Sequence, residues 1–299
     1  MPNARQVVHK AVSVPILNAS GCLDALSAPE VVATLDAFVT KTVTPLAREG
    51  NPPPRIAEVD GWMLNSIGLQ NPGIEVFSTS VLSSLQDLGV PLWVSVGGFS
   101  ASDYMTCCER LDDFDAVQVI ELNLSCPNVD EASETVVELV QASRRATSKP
   151  LYAKLSPATP DIAELARSVA DAGADGLSLV NTLRGLALDH ATLRPRLALG
   201  TGGASGSALR PIALACVYAC ANAVELPIVG IGGVMSGTDA IDFIAAGASA
   251  VALGTVLFAD PLSPARIRDE LEREARSRGY GSAMEIRRLA HGSALAPSQ

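Results

Sequence analysis

Val117-Gln118-Val119-Ile120-Glu121-Leu122-Asn123-Leu124-Ser125-Cys126-Pro127-Asn128 runs from a short, β-branched apolar segment straight into a polar hexapeptide. A run of this length and composition reads as a buried strand. In parallel sheets flanked by helices, the carboxyl ends of the strands face ligands. A cysteine set between two asparagines at such an end is placed for chemistry, because the amides can hold a planar polar ligand beside the thiol.

Similar runs recur along the chain. Residues 16–20, 38–42, 92–96, 117–124, 151–155, 176–181, 227–232 and 250–254 each read as a strand, and most are separated by helix-like stretches such as 134–146, 161–172, 211–223 and 238–246. Ala172-Gly173-Ala174 and Ala246-Gly247-Ala248 are matching helix stops, since glycine tolerates the left-handed conformation that ends a helix. Strand and helix in alternation imply parallel strands with right-handed crossovers. Eight of them close an α/β (β/α)8 TIM barrel, and residues 1–299 are expected to form that single domain.

Two segments break the rhythm. Residues 45–73 form a long non-helical stretch rich in proline and glycine, and Trp62-Met63-Leu64-Asn65 makes it too apolar for disorder. It is expected to act as a lid-like loop over the carboxyl face of the strands. Residues 184–210, with Gly200-Thr201-Gly202-Gly203-Ala204-Ser205-Gly206, read as a second loop of that face.

Charge narrows the partners. Lys plus Arg number 22 against 32 Asp plus Glu, for a net charge of −10, which argues against nucleic acid and anionic membranes as partners. The apolar stretch 243–259 is broken by Gly247, Ser249, Gly254 and Thr255 and does not read as a membrane span. Met1 to Lys10 lacks the apolar core of a signal peptide, so a cytoplasmic location is expected. The six cysteines and three histidines show no metal-ligand spacing, so no metal site is expected. Cys107, Cys108, Cys216 and Cys220 read as small buried hydrophobes.

The strand ends form a coherent set: Ser20, Lys41 with Thr42, Ser95, Asn123, Lys154, Asn181 with Thr182, Gly232 with Gly233, and Gly254 with Thr255. Glycines after the last two strands suit a phosphate, which can then approach backbone N–H groups. The sequence around Gly230 completes neither a dinucleotide-binding nor a P-loop motif, because position 235 is Met and no Walker lysine is present. Lysines at strand ends inside a site call for an anion or a polarised ring. Asn65, Asn123, Asn128 and Asn181 suit the amide and imide edges of a heterocycle. Cys126 is the candidate nucleophile or base. A redox reaction would require a bound cofactor, since none of these side chains carries electrons.

Taken together, Asn18-Ala19-Ser20-Gly21, Lys41-Thr42, Arg48-Glu49-Gly50-Asn51-Pro52, Asn65-Ser66-Ile67-Gly68-Leu69-Gln70-Asn71, Asn123 to Asn128 and Gly230 to Gly233 resemble class 1 dihydroorotate dehydrogenase over almost the whole chain. The resemblance implies an FMN-containing barrel that oxidises dihydroorotate to orotate in pyrimidine biosynthesis, with Cys126 removing the C5 proton. It implies a substrate site of Lys41, Asn65, Ser66, Ile67, Gly68, Leu69, Asn123, Asn128, Asn181 and Thr182. It implies an FMN site of Ser20, Lys41, Thr42, Ser95, Asn123, Lys154, Val180, Gly206, Gly232, Gly233, Gly254 and Thr255. The segments 180–183 and 200–206 are more similar to the NAD-linked subgroup, which implies a homodimer paired with an iron–sulfur and FAD electron-transfer subunit. Ser95 stands where that subgroup usually has Asn, and the loop 129–133 is shorter than the family's. Two other readings of the same residues are a related FMN barrel acting on another dihydropyrimidine and a non-catalytic barrel that binds a phosphorylated ligand.

Overall fold

The computed structural model describes residues 13–124 and 135–292. Its strands are β1 (Ile16–Asn18), β2 (Phe38–Val39), β3 (Ile56–Val59), β4 (Trp62–Asn65), β5 (Leu92–Val96), β6 (Val117–Asn123), β7 (Leu151–Leu155), β8 (Gly176–Leu179), β9 (Leu183–Leu186), β10 (Thr201–Ser205), β11 (Ile228–Ile231) and β12 (Ala250–Leu253). Eight of these run parallel in the order β1-β12-β11-β8-β7-β6-β5-β2. Each of the eight expected strand segments contains one of them.

The barrel closes between β1 and β2 with little ladder. A single parallel bridge joins Leu17 to Ala37, and the Asp36 amide donates to the Ile16 carbonyl at 2.9 Å. The side chain of Asn18 supplies the rest. Its Nδ2 donates to the Val39 carbonyl at 2.7 Å and its Oδ1 accepts from the Val39 amide at 2.8 Å, so one carboxamide replaces two ladder bonds.

Inside the barrel, Leu17, Val39, Val229, Ile231, Ala250 and Ala252 pack with Trp93 and Tyr152, whose ring centroids lie 4.6 Å apart. Residues of the opposite alternation, among them Ile16, Val94, Ile120 and Leu177, pack with the helices in the larger core. Those helices are locally well specified. Ser100, Asp161 and Ser236 cap the helices Ala101–Asp112, Ile162–Asp171 and Gly237–Ala245, and Thr135 with Glu138 forms a capping box for Val136–Ala146. At the other end, Gly173 and Gly247 have φ of 106° and 117°. Ala174 donates back to the Val169 carbonyl and Ala248 to that of Phe243, which closes Schellman motifs at the two expected stops.

The two segments expected as loops are one structure. β3 and β4 form a hairpin within 45–73, β9 and β10 form another beyond β8, and the four strands join antiparallel in the order β3-β4-β10-β9. The pairing of Asn65 with Gly203 links positions 138 apart, so no local pattern announces it. This small sheet stands at the carboxyl face, because β9 and β10 are inserted directly after β8. Among the described residues, no helix is long and apolar enough to cross a membrane.

Candidate active site

A hydrogen-bonded chain crosses the carboxyl mouth of the barrel. Ser20 Oγ donates to the Thr40 carbonyl at 2.8 Å and lies 3.4 Å from Thr42 Oγ1. Thr42 Oγ1 is 3.0 Å from Ser95 Oγ and accepts from Asn123 Nδ2 at 3.1 Å. Asn123 Oδ1 accepts from Asn181 Nδ2 at 2.8 Å, and Asn181 Oδ1 accepts from the Thr182 amide at 2.8 Å. Tyr104, from the helix Ala101–Asp112, fixes the strand end by donating to the Asn123 carbonyl at 2.6 Å. Six expected site residues are thereby brought together from five strand ends.

Two lysines enter the same mouth. Lys154 is 6% exposed, and its Nζ lies 3.5 Å from Oε1 of Glu121, itself 2% exposed. Lys41 packs over Gly21, where a Cβ would meet Lys41 Cδ at 2.9 Å. Burial holds the Lys41 pKa below its ordinary value, and the charge of Lys154 lowers it further. Burial raises the pKa of the neighbouring Cys22 thiol, while Lys154 and Lys41 act in the opposite direction. Beside Lys41 opens a mainly apolar cavity of about 450 Å³, lined among others by Cys22, Leu26, Phe77, Leu85 and Phe258.

The glycine-bearing turns lie opposite. Gly233 has φ of 74°, and a Cβ there would approach the Gly206 and Ser207 carbonyls to 2.9 Å, so the turns after β10 and β11 pack backbone to backbone. Arg210, paired with Asp239, braces them, and Asp239 Oδ2 also accepts from the Met235 amide at 2.9 Å. Gly254 is different: among the described residues a Cβ built on it has only Ala19 Cβ at 3.7 Å and Cys22 Sγ at 3.8 Å for neighbours. No described residue excludes a side chain there. Val180 is buried, and its amide donates to the Ile231 carbonyl.

The small sheet and the turn after β4 carry Asn65 to Leu69. Asn65 Nδ2 donates to the Gly203 carbonyl at 3.3 Å. Asn51 holds the turn that follows β4, donating to Ser66 Oγ at 2.9 Å and, through its backbone amide, to the Ile67 carbonyl. Gly68 and Leu69 both have positive φ, 79° and 56°. A Cβ on Gly203 would collide with Thr182, so the sheet rests directly on the end of β8. Cys126, Asn128 and the short loop 129–133 lie outside the described residues.

The arrangement fits a phosphorylated, anionic planar group. Among the described residues Lys154 pairs with the buried Glu121 while Lys41 has no carboxylate partner, an excess of positive charge that an anion balances; Ser178 Oγ is buried with no hydrogen-bond partner among them; and a side chain at Gly254 would meet only ordinary contacts there. Glu121 was not among the expected site residues, although a charged residue inside the apolar run 117–124 was a visible signal. Asn18 and Tyr104 had no such signal, because their roles depend on partners in other strands. The four cysteines read as core are buried, and burial pushes the thiols of Cys108 and Cys220 up to about 12.

The sequence profile described as dihydroorotate dehydrogenase matches residues 4–274. The chain is 42% identical over 282 residues to the catalytic subunit of dihydroorotate dehydrogenase B (NAD(+)) of Geobacter metallireducens, covering 91% of this chain and 92% of that one. It is 41% identical over 283 residues to the protein of the same description from Fusobacterium nucleatum, covering 91% and 93%. A crystal structure of the Eimeria tenella dihydroorotate dehydrogenase in complex with ferulenol superimposes with a TM-score of 0.79 at 22% identity, covering 93% of this chain and 85% of that one, and so shares its fold. The barrel, its polar mouth and this similarity along nine-tenths of the sequence place the chain in the dihydroorotate dehydrogenase family.

Proposed function

We propose that the chain oxidises (S)-dihydroorotate to orotate in pyrimidine biosynthesis, with FMN as its cofactor and Cys126 as the base. The observation that carries this reading is the meeting of Lys41, Lys154, Asn123 and Asn181 at one barrel mouth, opposite the Gly206, Gly232 and Gly233 turns, in a chain of this family. Ser20, Lys41, Thr42, Ser95, Asn123, Lys154, Val180, Gly206, Gly232, Gly233, Gly254 and Thr255 would hold FMN. Lys41, Asn65, Ser66, Ile67, Gly68, Leu69, Asn123, Asn128, Asn181 and Thr182 would hold the substrate.

In dihydroorotate the C5–H and C6–H bonds break and a C5=C6 double bond forms. Cys126 takes the C5 proton, and Lys41 faces the substrate carboxylate. The Asn123–Asn181 pair presents amide donors and acceptors to the ring edge, and the small sheet excludes water above it. When bound, FMN supplies the acceptor for the hydride that leaves C6. The relatives are described as catalytic subunits of an NAD(+) enzyme, which supports a second, electron-transferring subunit for this chain.

Anaerobic addition of dihydroorotate to the yellow protein is expected to bleach its flavin absorbance. Cys126→Ala should retain FMN and slow that bleaching by about 10² to 10⁴-fold. A colourless protein unable to take up FMN would remove the reading, and fast bleaching in the variant would remove Cys126 from the role.

A further inference from the structure

The barrel interior beneath the mouth is built from aliphatic side chains and the Trp93–Tyr152 pair, and Glu121 lies among them. It is in register with Ser95 on one side and Tyr152 on the other, while Ile120 and Leu122 belong to the core shared with the helices. A carboxylate so placed is strongly destabilising unless it is paired. An apolar residue would satisfy the packing at that position equally well. Among the described residues its one ion-pair partner is Lys154, also buried, which stands in register between Asn123 and Ser178. Lys154 in turn acts on Lys41, so the mouth holds two ammonium groups that repel each other.

We propose that Glu121 is a positioning residue: it tethers the Lys154 ammonium from inside the barrel, holding it in place for the cofactor against the repulsion of Lys41. The proposal rests on the flavin reading of the site. Glu121 touches neither cofactor nor substrate in this role and acts through Lys154 alone.

That dependence is testable with the full chain as wild type, Glu121→Gln, Lys154→Met and the double substitution. Two readouts do not involve turnover: thermal unfolding of the flavin-free protein, and FMN affinity from quenching of flavin fluorescence. Lys154→Met leaves a buried carboxylate without its partner and is expected to lower the flavin-free Tm by several degrees. Adding Glu121→Gln removes that carboxylate and is expected to restore at least about half of the loss. Glu121→Gln should weaken FMN binding at least about fivefold when Lys154 is present and less than about twofold when it is already replaced. A purely structural Glu121 would cost the same in both backgrounds. In a wild-type protein that binds FMN, failure of either pattern overturns the proposal. A wild-type protein that does not bind FMN overturns the flavin reading instead, and the Tm pattern then decides the tether by itself.

Discussion

Asn181 Nδ2 donates to Asn123 Oδ1 at 2.8 Å, joining the end of β8 to the end of β6 across 58 positions of sequence. Each amide also serves a second partner, Thr42 Oγ1 for Asn123 and the Thr182 backbone for Asn181, so the pair is locked in one orientation. Under the proposed function, a planar ring edge would meet donors and acceptors that are already aligned.

Replacing either amide removes one of the bonds that orient the other. Asn181→Ala and Asn123→Ala are each expected to weaken orotate binding by about 1 to 3 kcal/mol. The double variant should cost little more than one single variant, because the two residues act as a unit. Orotate titration followed by flavin absorbance measures all three, and full additivity would show that the amides act independently.

Gly254→Ala separates ligand space from protein packing. Among the described residues the added methyl group finds only ordinary contacts with Ala19 and Cys22. The flavin-free protein should therefore unfold within about 1 °C of wild type, while FMN binds at least about tenfold more weakly. A large drop in flavin-free stability would place the constraint on Gly254 within the protein.

Lys41 sets a pH limit. Burial, and then the charge of Lys154, hold its pKa below the ordinary 10.5. The cost of keeping its ammonium in the folded, empty protein is present in full below the depressed value and is relieved as pH rises through it towards the ordinary lysine range. Binding of a carboxylate at Lys41 follows the opposite course, being strongest where the lysine is charged. Orotate affinity should thus fall on the alkaline side at a pH below 10.5, and the Lys41→Met profile should be weaker and lack that limb. Superimposable alkaline limbs in the two proteins would assign the effect to another group.

Asn18→Ala tests barrel closure. It leaves the Val39 amide and carbonyl without the partners that Asn18 supplies. With each of the two buried groups costing about 1 to 3 kcal/mol, urea unfolding should show a loss of about 2 to 6 kcal/mol. A loss below 1 kcal/mol would mean that the β1–β2 seam is held by other contacts.

The eight barrel strands and the helix stops were legible because they are local: an apolar run of strand length, a capping residue, a glycine that accepts positive φ. The list of strand-end residues was legible for a related reason, since parallel strands that all point one way carry their carboxyl ends to a single face. Ser20, Thr42, Ser95, Asn123, Asn181 and Thr182 could be named before their hydrogen bonds were seen. The segments 45–73 and 184–210 read as loops because their strands are short and interrupted by glycine and proline, with partners on the far side of the molecule.

Sequence alone thus determined the barrel and most of the residues that stand at the carboxyl ends of its strands, because each follows from the periodicity and turn chemistry of neighbouring residues. Only the tertiary structure decided that two apparent loops form one sheet resting on Thr182, that Asn18 closes the barrel through its side chain, and that Glu121 stands against Lys154. Those features are pairings between residues far apart in the chain, and the free energy that selects them arises only when folding brings both partners out of water together.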